Sequence, residues 1–257
     1  MSTSPPSLED SLRVLLKALK LPGFLDHYAD LAVQAEKDGT AYGQYLHALA
    51  EYELRERRDR RIQRALKASA LPLEKTLATL DLSRLPPKVR KRVPALCEGG
   101  FIHRAENVLA FGLPGRGKSH LCCAIGHELI RRGHRVLFTP TYQLVQRLLL
   151  AKRELALEKL LKRLDRFDAV ILDDLGYVQQ DREEMEVLFT FLAERYERRS
   201  VVITSNLVFS EWDRIFKDPM TTACAIDRLV HHSVILELTG PSVRAEHAKA
   251  ARSGQRQ

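Results

Sequence analysis

The chain has 257 residues, 45% hydrophobic and 29% charged, with 41 Lys and Arg against 33 Asp and Glu for a formal charge of +8. That composition excludes a disordered chain and suits one ordinary α/β domain plus a smaller appendage, while the basic excess favours a polyanion such as nucleic acid as partner. No apolar run approaches the ~20 residues that span a bilayer, "MSTSPPSLED" lacks the layout of a secretory signal, and Cys97, Cys122, Cys123 and Cys224 form no C-x-x-C pair, so a reduced, cytoplasmic chain with no membrane partner is expected.

Residues 8 to about 68 read as wholly helical, within a small N-terminal domain over 1–68. "LEDSLRVLLKALKL" has apolar positions at helical period and is expected to stop at Pro22-Gly23. "FLDHYADLAVQAEKDG" follows to Gly39, and "AYGQYLHALAEYELRERRDRRIQRALKAS" runs as one long helix. Its second half, "RERRDRRIQRALK", carries a net +5 from Arg55, Arg57, Arg58, Arg60, Arg61, Arg64 and Lys67 against two acids. Arg57, Arg61 and Arg64 share one face. Such a stripe fits either a duplex phosphate backbone or a solvated helix end. No aromatic residues interleave the cations, so base stacking on single strands is not indicated. Residues 69–106, broken by Pro72, Pro86, Pro87 and Pro94, read as an irregular linker packed on the next domain.

From Asn107 strands and helices alternate, which implies a parallel sheet covered on both faces. "ENVLAF", "RVLFTP", "DAVILDD", "SVVITSN" and "SVILEL" read as strands; "KSHLCCAIGHELIRRG", "YQLVQRLLLAKRELALEKLLKRL" and "REEMEVLFTFLAERYERR" read as helices. The tail 245–257 is basic and expected to be disordered.

The chemistry gathers at the ends of these strands. "GLPGRGKS", Gly112–Ser119, matches G-x-x-x-x-G-K-[ST] between a strand and a helix. Gly115 and Gly117 can turn successive N–H groups inward as an anion nest. Lys118 adds a cation for the β/γ-phosphates, and the Ser119 hydroxyl completes a Mg²⁺ shell. "AVILDDLG" ends a buried strand in two acids at the sheet edge where α/β folds bind ligands. Asp173 suits Mg²⁺ through water, and Asp174 suits polarising the attacking water. Asn206, ending "VVITSN", either orients that water or caps the following segment. Arg228 and Arg244 flank the last strand; arginine suits charge on a transferring phosphoryl group, and equally a surface ion pair.

Residues 72–244 resemble the AAA+ ATPases of the DnaC/IstB type, above all the IstB-like helper ATPases of insertion-sequence transposition. The likeness rests on "GLPGRGKSHL", "AVILDDLGYV", "ERYERRSVVITSNLVFSEWDRIFKD" and "AIDRLVHHSVILELTG". "LKLPGF", "ALAEYELRERRDRRIQR" and "LEKTLATLDLS" extend it to the family's leader domain. The resemblance implies a three-layer P-loop fold over 107–244 with an abbreviated helical lid. It implies ATP and Mg²⁺ as cofactors, with Gly112, Leu113, Pro114, Gly115, Arg116, Gly117, Lys118, Ser119 and His120 at the nucleotide. Asp173 and Asp174 are then the Walker B acids, Asn206 the first sensor, Arg228 a finger acting on a neighbour's ATP and Arg244 the second sensor. Three positions depart from the family: Arg116 replaces a small or β-branched residue, "PSVR" replaces Ser-Tyr-Arg, and "TLATLDL" has leucines for phenylalanines.

The implied function is an ATPase that self-associates on duplex DNA and hands a target site to an IstA-like transposase. A replicative helicase loader of the DnaC type shares the same core and is the alternative. A nucleotide kinase would need a substrate lid, a GTPase an Asn-Lys-x-Asp reader, and an ATP-binding scaffold no paired acids.

Overall fold

The computed structural model describes residues 7–176, 181–208, 211–212 and 219–242. The chain divides into two compact units, Met1–Arg64 and Ala65–Gln257.

The first unit is helical throughout its described residues. α1 (Leu8–Ala18) is capped by Ser7, whose hydroxyl accepts from the Asp10 N–H, and Glu9 and Asp10 in its first turn complement the helix dipole. The chain then turns at Lys20, a non-glycine residue at φ 55°. Pro22 occupies the first turn of α2 (Pro22–Asp38), where its fixed φ is suitable and its missing N–H costs nothing. Pro22-Gly23 therefore begins a helix, where the sequence suggested an end. Gly39, at φ 61°, closes α2 in the left-handed conformation that glycine tolerates. α3 (Tyr42–Ser69) is a single helix of 28 residues that continues into the second unit. Leu16 and Leu49 are buried, and buried Glu53 ties α2 to α3 by accepting from the Gly23 N–H at 2.6 Å.

The second unit holds five strands: β1 (Asn107–Phe111), β2 (Val136–Pro140), β3 (Ala169–Leu175), β4 (Ser200–Ser205) and β5 (Ser233–Glu237). They form one sheet in the order β2-β3-β4-β1-β5, every pairing parallel. Continuous apolar runs suit such strands because both faces are covered; every residue of β1 and β4 is buried. α6 (Lys118–Arg131) packs on β1–β4, and α4 (Pro87–Glu98) packs on α6. On the other face α7 (Thr141–Arg153), α8 (Leu157–Leu164) and α9 (Arg182–Arg195) enclose the main core, which includes Leu109, Leu144, Leu148, Leu172, Phe191 and Ile203. α10 (Pro219–Val230) leads into β5.

Two expectations are corrected. Residues 87–103 are not irregular: α4 and the short α5 (Gly100–His103) form there, with Pro87 in the first turn of α4, and Val89, Val93, Leu96 and Phe101 buried. The stretch 142–164 is two helices. Leu155, at φ 54° and almost fully exposed, breaks it between α7 and α8. Buried Arg195 closes this layer by donating to the carbonyls of Leu164, Phe167, Asp168 and Ser200, and its burial pulls the guanidinium down to about 10.

Candidate functional site

Strands β1 and β4 are neighbours although two other strands separate them in sequence, so the chain leaves them in opposite directions and opens a crevice at their carboxyl ends. Of the residues picked from the sequence, Pro114–His120, Asp174 and Asn206 meet there. Gly112 leaves β1 at φ 152°, and a Cβ on it would lie 2.4 Å from the Leu238 carbonyl oxygen, so the strand ending β5 approaches as closely as only glycine permits. Gly115 and Gly117 have φ 79° and 85°, and Gly117 is the N-cap of α6. No side chain caps α6. Its first N–H groups therefore face the crevice with the positive end of the helix dipole, an arrangement suited to phosphate oxygens.

Lys118 lies in the first turn of α6 with only 5% exposure. Its ammonium donates to the Gly112 carbonyl at 2.6 Å, to the Leu113 carbonyl at 3.2 Å and to Asn206 Oδ1 at 2.5 Å. Asn206 thus reaches the loop from the end of β4 and holds its cation. On the other side of β4 lies the end of β3, where the pairing with β4 shifts register after Leu172. Asp174 sits on this irregularity at φ 59°, a left-handed conformation that aspartate adopts more readily than most residues. The bulge, not simple pleat alternation, separates the two acids. Asp174 is exposed toward the crevice, whereas Asp173 Oδ1 accepts from Thr204 Oγ1 at 2.6 Å. The same Thr204 oxygen accepts from the Asp174 N–H at 2.9 Å. Thr204, in β4 two residues before Asn206, braces both acids.

The crevice encloses about 510 Å³ and is bordered by Pro114–His120, Asp174 and Asn206 on one side. Its other wall is Lys75, Thr79, Leu80, Asp81, Arg84 and Leu85. The sequence assigned that wall to a linker and to no site. His120 fastens it: Nε2 lies 3.2 Å from the Thr76 carbonyl and 3.1 Å from Thr79 Oγ1. Arg116 borders the crevice and donates to the Leu238 carbonyl, just after β5, at 3.3 Å. Beneath the loop the Cys122 and Cys123 thiols are buried, which raises both, Cys123 to about 12. They are packing groups, not nucleophiles.

The family model for IstB-like ATP-binding proteins matches residues 14–251. The chain belongs to the IstB-like ATP-binding family. An insertion-sequence ATP-binding protein of Sinorhizobium fredii is 45% identical over 95% of this chain and 82% of its own length. The ATP-binding protein of insertion sequence IS21 from Pseudomonas aeruginosa is 38% identical over 93% of this chain and 91% of its own. Among solved structures, DnaI superposes with a TM-score of 0.56 at 20% identity, covering 66% of this chain and 95% of that one. AMPPCP-bound DnaA from Aquifex aeolicus superposes with a TM-score of 0.56 at 17% identity, covering 72% of this chain and 56% of that one. At these identities the structural matches establish the shared AAA+ fold.

Within this IstB-like fold Arg228 lies apart from the crevice. The carbonyl of the adjoining Leu229 accepts from Asn107 Nδ2, at the start of β1, whereas the glycine loop follows its end. Five residues of extended strand, about 3.3 Å each, separate the two edges. The Arg228 guanidinium stacks on the Phe189 ring of α9, 4.7 Å from its centroid. Arg244 lies outside the described residues, as does the tail.

The arginines of α3 differ among themselves. Arg57 donates through Nε to Glu53 at 2.5 Å and through Nη2 to the Lys20 carbonyl at 2.8 Å, so it is part of the packing of its own unit. Its side chain is nonetheless 52% exposed and borders the same concavity as Arg58, Arg61 and Arg64. Burial pushes the Glu53 carboxyl up, but the hydrogen bonds from Arg57, Gly23 and Phe24 outweigh it and hold the group below its ordinary range. Arg55 lies over the Tyr52 ring and Arg64 donates to the Arg60 carbonyl. Arg58, Arg61 and Arg64 line an open concavity of the helix surface. Among the described residues no helix is long and apolar enough to cross a membrane.

Proposed function

We propose that the chain is a Mg²⁺-dependent ATPase that self-associates on duplex DNA and presents target DNA to the transposase of an insertion sequence. The observation that carries the nucleotide part is the uncapped start of α6 facing a crevice that Lys118, Asn206 and Asp174 all border. The loop N–H groups and Lys118 hold the β- and γ-phosphates. Ser119 and Asp173 are the residues that would hold Mg²⁺, which supplies charge neutralisation on the phosphates. Asp174, on its bulge, accepts a proton from the attacking water, while Thr204 keeps both carboxylates in register. Asn206 and Lys118 are already paired, so phosphate arrival redistributes one preformed contact and leaves Asn206 at the γ-phosphate end.

The mobile-element setting is supported by relatives at 45% and 38% identity that are insertion-sequence ATP-binding proteins. The helicase-loader reading rests on likenesses of 20% identity, which speak for the fold alone. Arg228, far from its own loop, suits a neighbour's phosphate, and the exposed α3 arginines suit the duplex backbone. Arg244 is kept as a second-sensor candidate through the family resemblance. Sedimentation of the protein with duplex DNA in ATP and Mg²⁺, in ADP, and in ATP with chelator tests the proposal. Large particles are expected with ATP and Mg²⁺ alone. Equal particles in all three conditions would sink it.

A further inference from the structure

The segment from Arg84 to Arg104 carries six Arg and Lys against the single acid Glu98, a net +5 that matches the basic half of α3. Four of these cations, Lys88, Arg90, Lys91 and Arg92, fall within five residues at the start of α4, and all four are exposed. The helix is strictly two-faced. Val89, Val93, Leu96 and Cys97 are buried on one side, and Lys88, Lys91 and Arg92 recur at i, i+3 and i+4 on the other.

Helix stability does not account for these charges. The first turn of α4 holds no acid and its last turn no base, so cations crowd the positive end of the helix dipole and Glu98 occupies the negative end. Lys88, Arg90 and Lys91 have no ion-pair partner among the described residues. Arg92 does have a structural task. Its Nη1 donates to the Ile235 carbonyl at 3.0 Å, on β5, the edge strand beyond β1.

We infer that the exposed cations Lys88, Arg90 and Lys91 at the start of α4, with Arg90 flanking the apolar stripe on its other side, form a second contact surface for the duplex phosphate backbone, carried by the ATPase unit itself. The inference rests on the DNA-binding reading above. Several closely spaced cations without acidic partners, and without interleaved aromatic rings, suit phosphates read by charge rather than bases read by stacking. The surface also adjoins the nucleotide site in sequence. Asp81, Arg84 and Leu85 border the crevice, and Pro86 and Pro87 join them stiffly to the first turn of α4. DNA held here is therefore bound next to the wall that contacts nucleotide, and not solely through the separate helical unit.

The test is the salt dependence of duplex binding by the full chain. Log affinity is measured against log salt concentration for wild type, for Lys88→Ala/Arg90→Ala/Lys91→Ala, and for Arg58→Ala/Arg61→Ala/Arg64→Ala in α3. Each phosphate contact contributes about 0.9 to the slope. The α4 variant is expected to lose roughly 1–3 units of slope and at least about tenfold in affinity, equally across sequences. Binding of a fluorescent ATP analogue in the absence of DNA should stay at the wild-type level. Alanine favours helix and Arg92 is retained; if the variant nonetheless melts early, the corresponding glutamine triple gives the same readout. An unchanged slope in a folded α4 variant, beside a wild type that binds DNA, overturns this inference and leaves the DNA reading standing. A wild type that binds no duplex at any salt overturns both.

Discussion

Lys118→Ala separates what the loop lysine does for the fold from what it does for nucleotide. Its ammonium makes three hydrogen bonds, to Gly112 and Leu113 carbonyls and to Asn206. All three acceptors border or adjoin a crevice of about 510 Å³, roomy enough for water to replace the lost donor. With water taking over as partner, the cost to the fold should be about 1–3 kcal/mol, up to the net worth of one hydrogen bond made by a charged group. Nucleotide binding is different, because the phosphates lose a nearly buried cation. Truncating one partner of such a charge pair costs about 2–5 kcal/mol, roughly 30- to several-thousand-fold in affinity. Titration of a fluorescent ATP analogue, with a thermal melt of the same samples, measures both quantities. An affinity within threefold of wild type in a folded variant would show that Lys118 does not face the phosphates.

Asp174→Asn should bind ATP with near-normal affinity yet hydrolyse it at least ~100-fold more slowly, since the amide cannot take the proton of the attacking water; phosphate release under saturating ATP measures this, and wild-type turnover would assign Asp174 another task. Thr204→Val removes the hydroxyl that bridges the Asp173 carboxylate and the Asp174 N–H while keeping the shape. Turnover should fall about 10- to 100-fold with nucleotide affinity nearly unchanged, and Thr204→Ser should restore it. Glu53 is held below its ordinary value in the folded state, so its contribution is full above the unfolded value of 4.5 and is lost as pH falls through the lowered folded one. Thermal melts should accordingly show a helical unit less stable at pH 4 than at pH 6, and Glu53→Gln should flatten that dependence; identical pH profiles would remove Glu53 as the titrating group.

The sheet was legible because each strand is a short, continuous apolar run, which few structures other than a covered parallel strand can use. The nucleotide loop was legible because glycine spacing, lysine and a following helix form one local pattern. Four features were not local. Lys20 and Leu155 break helices in the left-handed conformation without being glycine, and nothing in the helical period around them marks the break. Pro22 and Pro87 look like terminators in sequence but sit in first turns, where proline fits as well as it does after an end. The second wall of the crevice, from Lys75 to Leu85, is polar and patternless, and it becomes part of the site solely because His120 pins Thr76 and Thr79 to α6. Arg57 was indistinguishable from its neighbours in a charge count. Its acceptor at Lys20 lies 37 residues away, a distance that charge patterning along one helix does not register.

The central claim is that ATP is bound by one subunit and acted on by the next, and a mixing experiment tests it most directly. Arg228 lies toward the edge of the sheet opposite its own glycine loop, so a role in hydrolysis requires a second copy of the chain. Arg228→Ala should bind ATP normally and hydrolyse little; Lys118→Ala should not bind it tightly. In their mixture one type of interface pairs an intact loop with an intact Arg228. The account predicts that DNA-dependent ATPase activity returns in the mixture, above the level of either variant alone and greatest near equal proportions. A mixture that stays as inactive as its components, while both proteins remain folded and co-assemble, would contradict it.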